Sequence, residues 1–144
     1  MPFSQANPEI VAMLHEHGIK PTHQRIQIAG VLFAQPQHLS ADQILEQVNA
    51  RHGYVSKATV YNTLGLFSRK GLIREVIIDP SKVFYDSTTH PHHHIYNVDT
   101  GKLMDLDQDA INILGLPVPP EGTVIDGIDV VVRVRPRQAA AGGA

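Results

Sequence analysis

The pentapeptide His90-Pro91-His92-His93-His94 holds four of the chain's nine histidines, well inside the sequence. Imidazole is the commonest protein ligand for first-row transition metals and binds as the neutral ring near physiological pH. The segment His92 to Val98 reads as a strand, which turns His92 and His94 to one face and His93 to the other. Lys102 to Asp107 reads as the returning strand, after the turn residues Asp99, Thr100 and Gly101. A two-residue connection puts Asp105 on the face of His92 and His94, and a three-residue connection turns it away. Asp86 stands just upstream of the cluster. Paired imidazoles facing a carboxylate form a site for Fe(II), Mn(II) or Zn(II). The competing interpretation is a solvated polar hairpin, or histidines packed by their rings. Carboxylates at both ends of the cluster argue against it.

Those residues must be positioned by a small scaffold. At 144 residues the chain suits one or two small domains, and 42% hydrophobic with 18% charged residues is an ordinary globular balance. Cysteine is absent, which excludes disulfides, thiolate zinc sites, iron–sulfur clusters and cysteine nucleophiles together. Any metal is held by nitrogen and oxygen. No apolar run approaches the roughly 20 residues of a membrane span, and the N-terminus has no long apolar stretch, so a cytoplasmic protein without a membrane partner is expected. The formal net charge of −2 divides unevenly: Met1 to Asp86 carries eight Lys/Arg against seven Asp/Glu, and Ser87 to Ala144 carries four against seven. The first half is free to gather its cations on one face.

Four helices fill that half. Pro8 to His17 has Ile10, Val11 and Leu14 at helical spacing before Gly18; Thr22 to Phe33 carries Ile26, Ile28, Val31 and Leu32. Ser40-Ala41-Asp42-Gln43 matches a capping box, followed by Ile44, Leu45 and Val48. Ser56 opens a fourth helix to Lys70 with Val60, Leu64 and Phe67 in its apolar stripe and Tyr61 turned away. The period then changes to two short strands, Leu72 to Ile78 and Lys82 to Asp86, around Asp79-Pro80-Ser81. Helices ending in a hairpin describe a winged helix-turn-helix. The expected class is α+β: a winged-helix DNA-binding domain over 1–86, a hinge at 87–90, a small α/β dimerisation and metal-binding domain over 91–137, and a disordered tail over 138–144. Within the second domain, a short helix is expected over Asp107 to Leu114 and a last strand over Ile128 to Arg135. That strand's Val130-Val131-Val132 would be an aggregation hazard if exposed, and a symmetric homodimer would cover it.

Val55 to Leu64 is the segment suited to DNA. Ser56, Lys57 and Thr59 fall in a first helical turn, where free N–H groups and the helix dipole favour phosphate. Tyr61 and Asn62 would reach base edges in the major groove, Tyr61 by apolar contact with a thymine methyl. An ordinary amphipathic helix with a solvated cap and a surface tyrosine is the competing interpretation.

Five motifs together resemble the ferric uptake regulator superfamily: Gly18-Ile19-Lys20-Pro21-Thr22 with Arg25, His38 to Asp42, Ser56 to Leu64, Phe84-Tyr85-Asp86, and His92-x-His94, in that order. The resemblance spans roughly Gly18 to Asp107. It implies a dimeric winged-helix repressor whose affinity for an AT-rich palindromic operator in double-stranded DNA depends on a bound metal. It also implies a regulatory site of His38, Asp86, His92, His94 and Asp105, with Lys20 in the minor groove and Arg25 on phosphate. The family's usual structural zinc needs two Cys-x-x-Cys pairs, and Asn97 and Thr100 stand at the first, so no such zinc is expected. A further histidine-rich site looks incomplete; His90 and His93 remain candidates for haem or a second metal.

The resemblance implies one divalent ion per subunit, Fe(II), Mn(II) or Zn(II), and a repressor of iron homeostasis responding to iron or haem status. Asp105, where iron sensors often have glutamate, is similar instead to the peroxide-sensing branch, a repressor of oxidative-stress genes. A non-haem metalloenzyme built on a facial triad of His92, His94 and an aspartate is the alternative of another class. Its weakness is that three histidines and two aspartates leave little room for substrate. A metal-storage protein would leave Ser56 to Leu64 without a role.

Overall fold

The computed structural model describes residues 7–89 and 92–138. His90 and residues 139–144 of the expected tail lie outside the described residues. The chain divides into two compact units, Met1–Thr89 and His90–Ala144.

In the first unit, α1 (Pro8–Glu16) starts with Pro8 in its first turn, while Asn7 Oδ1 accepts from the Glu9 N–H at 2.9 Å. It stops where Gly18 takes φ +71° and the Ile19 N–H reaches back to the Leu14 carbonyl at 2.8 Å. That left-handed turn is the reason for glycine here. Thr22 caps α2 (His23–Leu32). Ser40 caps α3 (Ala41–His52) with both bonds of the capping box to Gln43 in place. Ser56 caps α4 (Lys57–Arg69), which ends as α1 does: Gly71 at φ +75° and Leu72 N–H on the Phe67 carbonyl at 2.9 Å.

The core is made where these helices meet. Leu14, Ile28, Leu32, Ile44, Val48, Val60, Leu64 and Phe67 have no exposed surface. Each large apolar side chain so buried contributes about 1.5–3 kcal/mol. Burying Val60, Leu64 and Phe67 leaves Tyr61, one step round the helix, 44% exposed.

A three-stranded antiparallel sheet closes this unit in the order β1-β3-β2, with β1 His38–Ser40, β2 Arg74–Asp79 and β3 Lys82–Asp86. The β2–β3 hairpin is the expected wing. Its turn is held by Asp79, whose Oδ1 accepts from the Ser81 backbone N–H (2.8 Å) and hydroxyl (2.6 Å). These bonds, the Ser81 hydroxyl first, keep the Asp79 carboxyl below its ordinary range. Strand β1 was not expected. Three residues directly before a capped helix are too short to display a period of two. It nevertheless sets His38 directly opposite Asp86 on the central strand.

The second unit contains β4 (His93–Asn97), β5 (Leu103–Leu106) and β6 (Val131–Val134) in the order β5-β4-β6. The first pair is antiparallel and the second parallel. Asn97 organises the β4–β5 connection. Its side chain accepts from the N–H groups of Asp99 (2.9 Å) and Thr100 (3.1 Å), its carbonyl from Gly101 (2.8 Å), and its N–H donates to the Lys102 carbonyl (2.9 Å). Val98 to Gly101 therefore form an even-numbered connection. It has the parity of the two-residue alternative, so Asp105 falls opposite His94.

The helix expected over Asp107 to Leu114 is a correction. Asp107 does cap a start, accepting from the Asp109 N–H at 3.1 Å, but only one 3-10 turn forms, Gln108–Ala110. Ile111, Asn112 and Ile113 are weak helix formers, and Gly115 with Pro117 forbids a longer run. Residues 111–130 reach β6 without a regular helix or strand.

Candidate metal centre and nucleic-acid interface

In the first unit the β1–β3 register brings His38 Nε2 to 3.0 Å from Asp86 Oδ2. Asp86 is 1% exposed. Its other oxygen, Oδ1, accepts from the Thr88 N–H at 2.9 Å, which fixes the carboxylate plane. A charged carboxylate this deep needs such partners, or a cation.

In the second unit His94 on β4 and His92, one residue before that strand begins, have ring centroids 4.5 Å apart. Asp105 projects from β5 toward them. Its Oδ1 lies 2.9 Å from His92 Nε2 and 3.6 Å from His94 Nε2. Donors bound to one ion at about 2.0–2.2 Å sit roughly 3–3.5 Å from each other, so these imidazole–carboxylate spacings fit a metal. The donor set is nitrogen and oxygen throughout, as Fe(II), Mn(II) and Zn(II) accept. Each unit thus carries its own imidazole–carboxylate group, and each group is assembled by cross-strand pairing.

His93 is different. It is 5% exposed, and its Nδ1 accepts from the Val130 N–H at 3.2 Å, so it ties β4 to the segment entering β6. Its side is lined by Ile111, Ile113, Ile125 and Ile128 around a cavity of about 580 Å³. His93→Ala is expected to cost about 1–2 kcal/mol of stability through the lost bond and packing, while Mn(II) affinity stays within about twofold. Thermal unfolding and metal titration of the same variant check both halves of that expectation.

On α4, the Ser56 hydroxyl accepts from the Thr59 N–H (3.1 Å) and donates to Thr59 Oγ1 (2.8 Å), so both residues first serve the cap. Arg25 Nη1 donates to the Lys20 carbonyl at 2.9 Å, joining two of the residues expected to contact DNA. Arg25, Thr59 and Asn62 also line one polar cleft of about 370 Å³, together with Thr22, Gln24 and Thr63. Sequence reasoning named the first three and not the others. Thr22 is read in the sequence as the start of a helix and as the end of the Gly18 to Thr22 motif, and nothing in the sequence marks Gln24. Lys57 is 65% exposed along its side chain. Burial pushes the Tyr85 phenol above its ordinary range, with the charges of Glu75 and Tyr61 adding to it.

Comparison with known proteins places these features. The pattern of the Ferric uptake regulator family matches residues 16–119. The peroxide-responsive repressor PerR of Staphylococcus aureus (strain Mu50) is 33% identical over 104 residues, which are 72% of this chain and 70% of that one. Among solved structures, the ferric uptake regulator of Pseudomonas aeruginosa with manganese superposes with a TM-score of 0.65 at 23% identity, covering 88% of this chain and 97% of the other. The regulator of Francisella tularensis with iron gives 0.68 at 22% identity, covering 83% and 93%. At these identities the solved structures establish the α+β fold.

Proposed function

The chain belongs to the ferric uptake regulator family of metal-dependent transcriptional regulators, and from that premise we propose that it is a DNA-binding repressor whose two units share one regulatory metal ion. His38 and Asp86 of the first unit and His92, His94 and Asp105 of the second would be its ligands. The observation that carries this reading is the pair of imidazole–carboxylate groups, one in each unit, both at metal-ligand spacing. Neither group alone fills the coordination sphere of Fe(II) or Mn(II). A divalent ion would supply a bond network that neither unit can make by itself. With both groups committed to one ion, the orientation of α4 in the first unit becomes tied to the second. Lys20, Arg25, Ser56, Lys57, Thr59 and Asn62 would then meet phosphate and base edges of a palindromic, AT-rich duplex, and Tyr61 a thymine methyl. On this reading the chain acts as a regulator and not as an enzyme, in the cytoplasm.

A homodimer completes this reading. Leu114, Val118 and Val124 are 85% or more exposed, and Val132 and Val134 on β6 are more than a third exposed. A second copy would cover that apolar surface and set two copies of α4 a whole number of DNA turns apart.

Two signals are compatible with the site. Iron or haem status is the first, with His93 and His90 as candidate haem contacts. Peroxide is the second. The name of the Staphylococcus aureus relative and the aspartate at Asp105, against His92, favour it. Iron-loaded protein bound to a duplex enriched from a randomised pool separates them. Under the peroxide reading, brief exposure to dilute peroxide adds one oxygen atom to the peptide bearing His38 or His92 and releases the duplex, while the manganese-loaded protein stays bound. Release by haem with no change of peptide mass would establish the iron reading instead. Absence of any metal-dependent duplex binding would overturn both.

A further inference from the structure

We propose that Asp42 is a specificity-determining residue of the DNA-reading surface: it holds Lys57 and Tyr61 in the free protein and penalises DNA of indifferent sequence. The inference rests on the reading that α4 binds DNA. Asp42 stands in the first turn of α3, and its side chain is 71% exposed. Its Oδ1 lies 3.7 Å from Lys57 Nζ and accepts from the Tyr61 hydroxyl at 3.5 Å. Lys57 Nζ in turn sits 5.6 Å from the centroid of the Tyr61 ring. Three side chains from two helices thus close a triangle, and two of them are the groups expected to touch phosphate and base.

An exposed ion pair of this kind adds little stability, so its consequence lies in binding. To reach a phosphate, Lys57 must leave Asp42, and the phosphate must then approach a carboxylate that has lost its partner. That cost is the same on every sequence. The compensating effect is not. With its hydroxyl held by Asp42 and its face against Lys57, the Tyr61 ring is presented in one orientation, which helps only where a complementary base edge waits. Asp42 and Tyr61 also line a cleft of about 340 Å³ with Pro80, Ser81 and Lys82 of the wing turn, so the carboxylate faces the side where both DNA-directed elements lie. Its charge therefore weakens indifferent binding more than specific binding, which raises discrimination without any added base contact.

The test uses the full-length manganese-loaded protein on two duplexes of equal length, one enriched by the wild type from a randomised pool and one of scrambled sequence. Asp42→Asn should bind the scrambled duplex about three- to fivefold tighter, the effect of one exposed unit charge near phosphate, while binding the enriched duplex no tighter than before. The ratio of the two affinities falls accordingly. Asp42→Glu, which keeps the charge, should restore most of the ratio. In a Lys57→Ala background, Asp42→Asn should tighten binding to the scrambled duplex less than it does in the wild type, because the cost of releasing Lys57 is gone and only the repulsion between carboxylate and phosphate remains. If Asp42→Asn changes only the unfolding temperature and leaves the ratio untouched, Asp42 merely serves the dipole of α3, and the inference is overturned while DNA reading by α4 stands. If Lys57→Ala and Tyr61→Ala also leave both duplexes bound as before, α4 is not the reading element and the two claims fall together.

Discussion

His92→Ala is expected to lower Mn(II) affinity by about 100-fold or more, because it removes an imidazole held 2.9 Å from the Asp105 carboxylate and with it one of the proposed ligands. Metal-dependent DNA binding should disappear with it. The more telling companion is His38→Ala. His38 belongs to the first unit and pairs there with Asp86 at 3.0 Å. If one ion is shared, this variant loses metal affinity to a comparable degree even though the His92, His94 and Asp105 group is intact. Calorimetric titration with Mn(II) reads both losses. A His38→Ala protein that binds metal as the wild type does would assign the ion to the second unit alone, and the coupling of metal to α4 would need another route.

Tyr61→Ala and Lys57→Ala should separate base reading from phosphate holding. Tyr61 is the half-exposed aromatic of α4, and truncating it is expected to reduce discrimination between enriched and scrambled duplexes by roughly 1–3 kcal/mol, about 5- to 150-fold. Lys57→Ala should weaken both duplexes together and lower the salt dependence by about one unit, as one lost phosphate contact requires. Anisotropy titrations at several salt concentrations distinguish the two patterns. Equal losses on both duplexes for Tyr61→Ala would remove it from base recognition.

Much of the first unit was legible because its boundaries are written in capping chemistry. Thr22, Ser40 and Ser56 each announce a helix one residue later, and Gly18 and Gly71 each end one. The alternation of the extended run that starts at His92 likewise separates His92 and His94 from His93 in the sequence itself. Other features were hidden for definite reasons. The three-residue strand β1 owes its existence to its partner β3, so no local pattern could reveal it. His38 entered the candidate site by family resemblance, since only the fold sets it opposite Asp86. The parity of the β4–β5 connection depended on Asn97 binding the turn's N–H groups, which left the face of Asp105 open in the sequence. The expected helix after Asp107 failed because a good cap precedes a segment that cannot continue a helix. Asp42 is read in the sequence as part of a capping box and of the His38 to Asp42 motif, and its approach to Lys57 and Tyr61 is a matter of how α3 packs on α4.

The most direct measurement of the central claim compares the affinity of the metal-free and the Mn(II)-loaded protein for the enriched duplex, with wild type and His38→Ala side by side. The account predicts that the metal tightens wild-type binding by about 100-fold, within the range of coupling free energies between linked sites, and that His38→Ala abolishes most of this gain. Equal affinity of the metal-free and metal-loaded wild type, at metal concentrations that demonstrably fill the site, would contradict it.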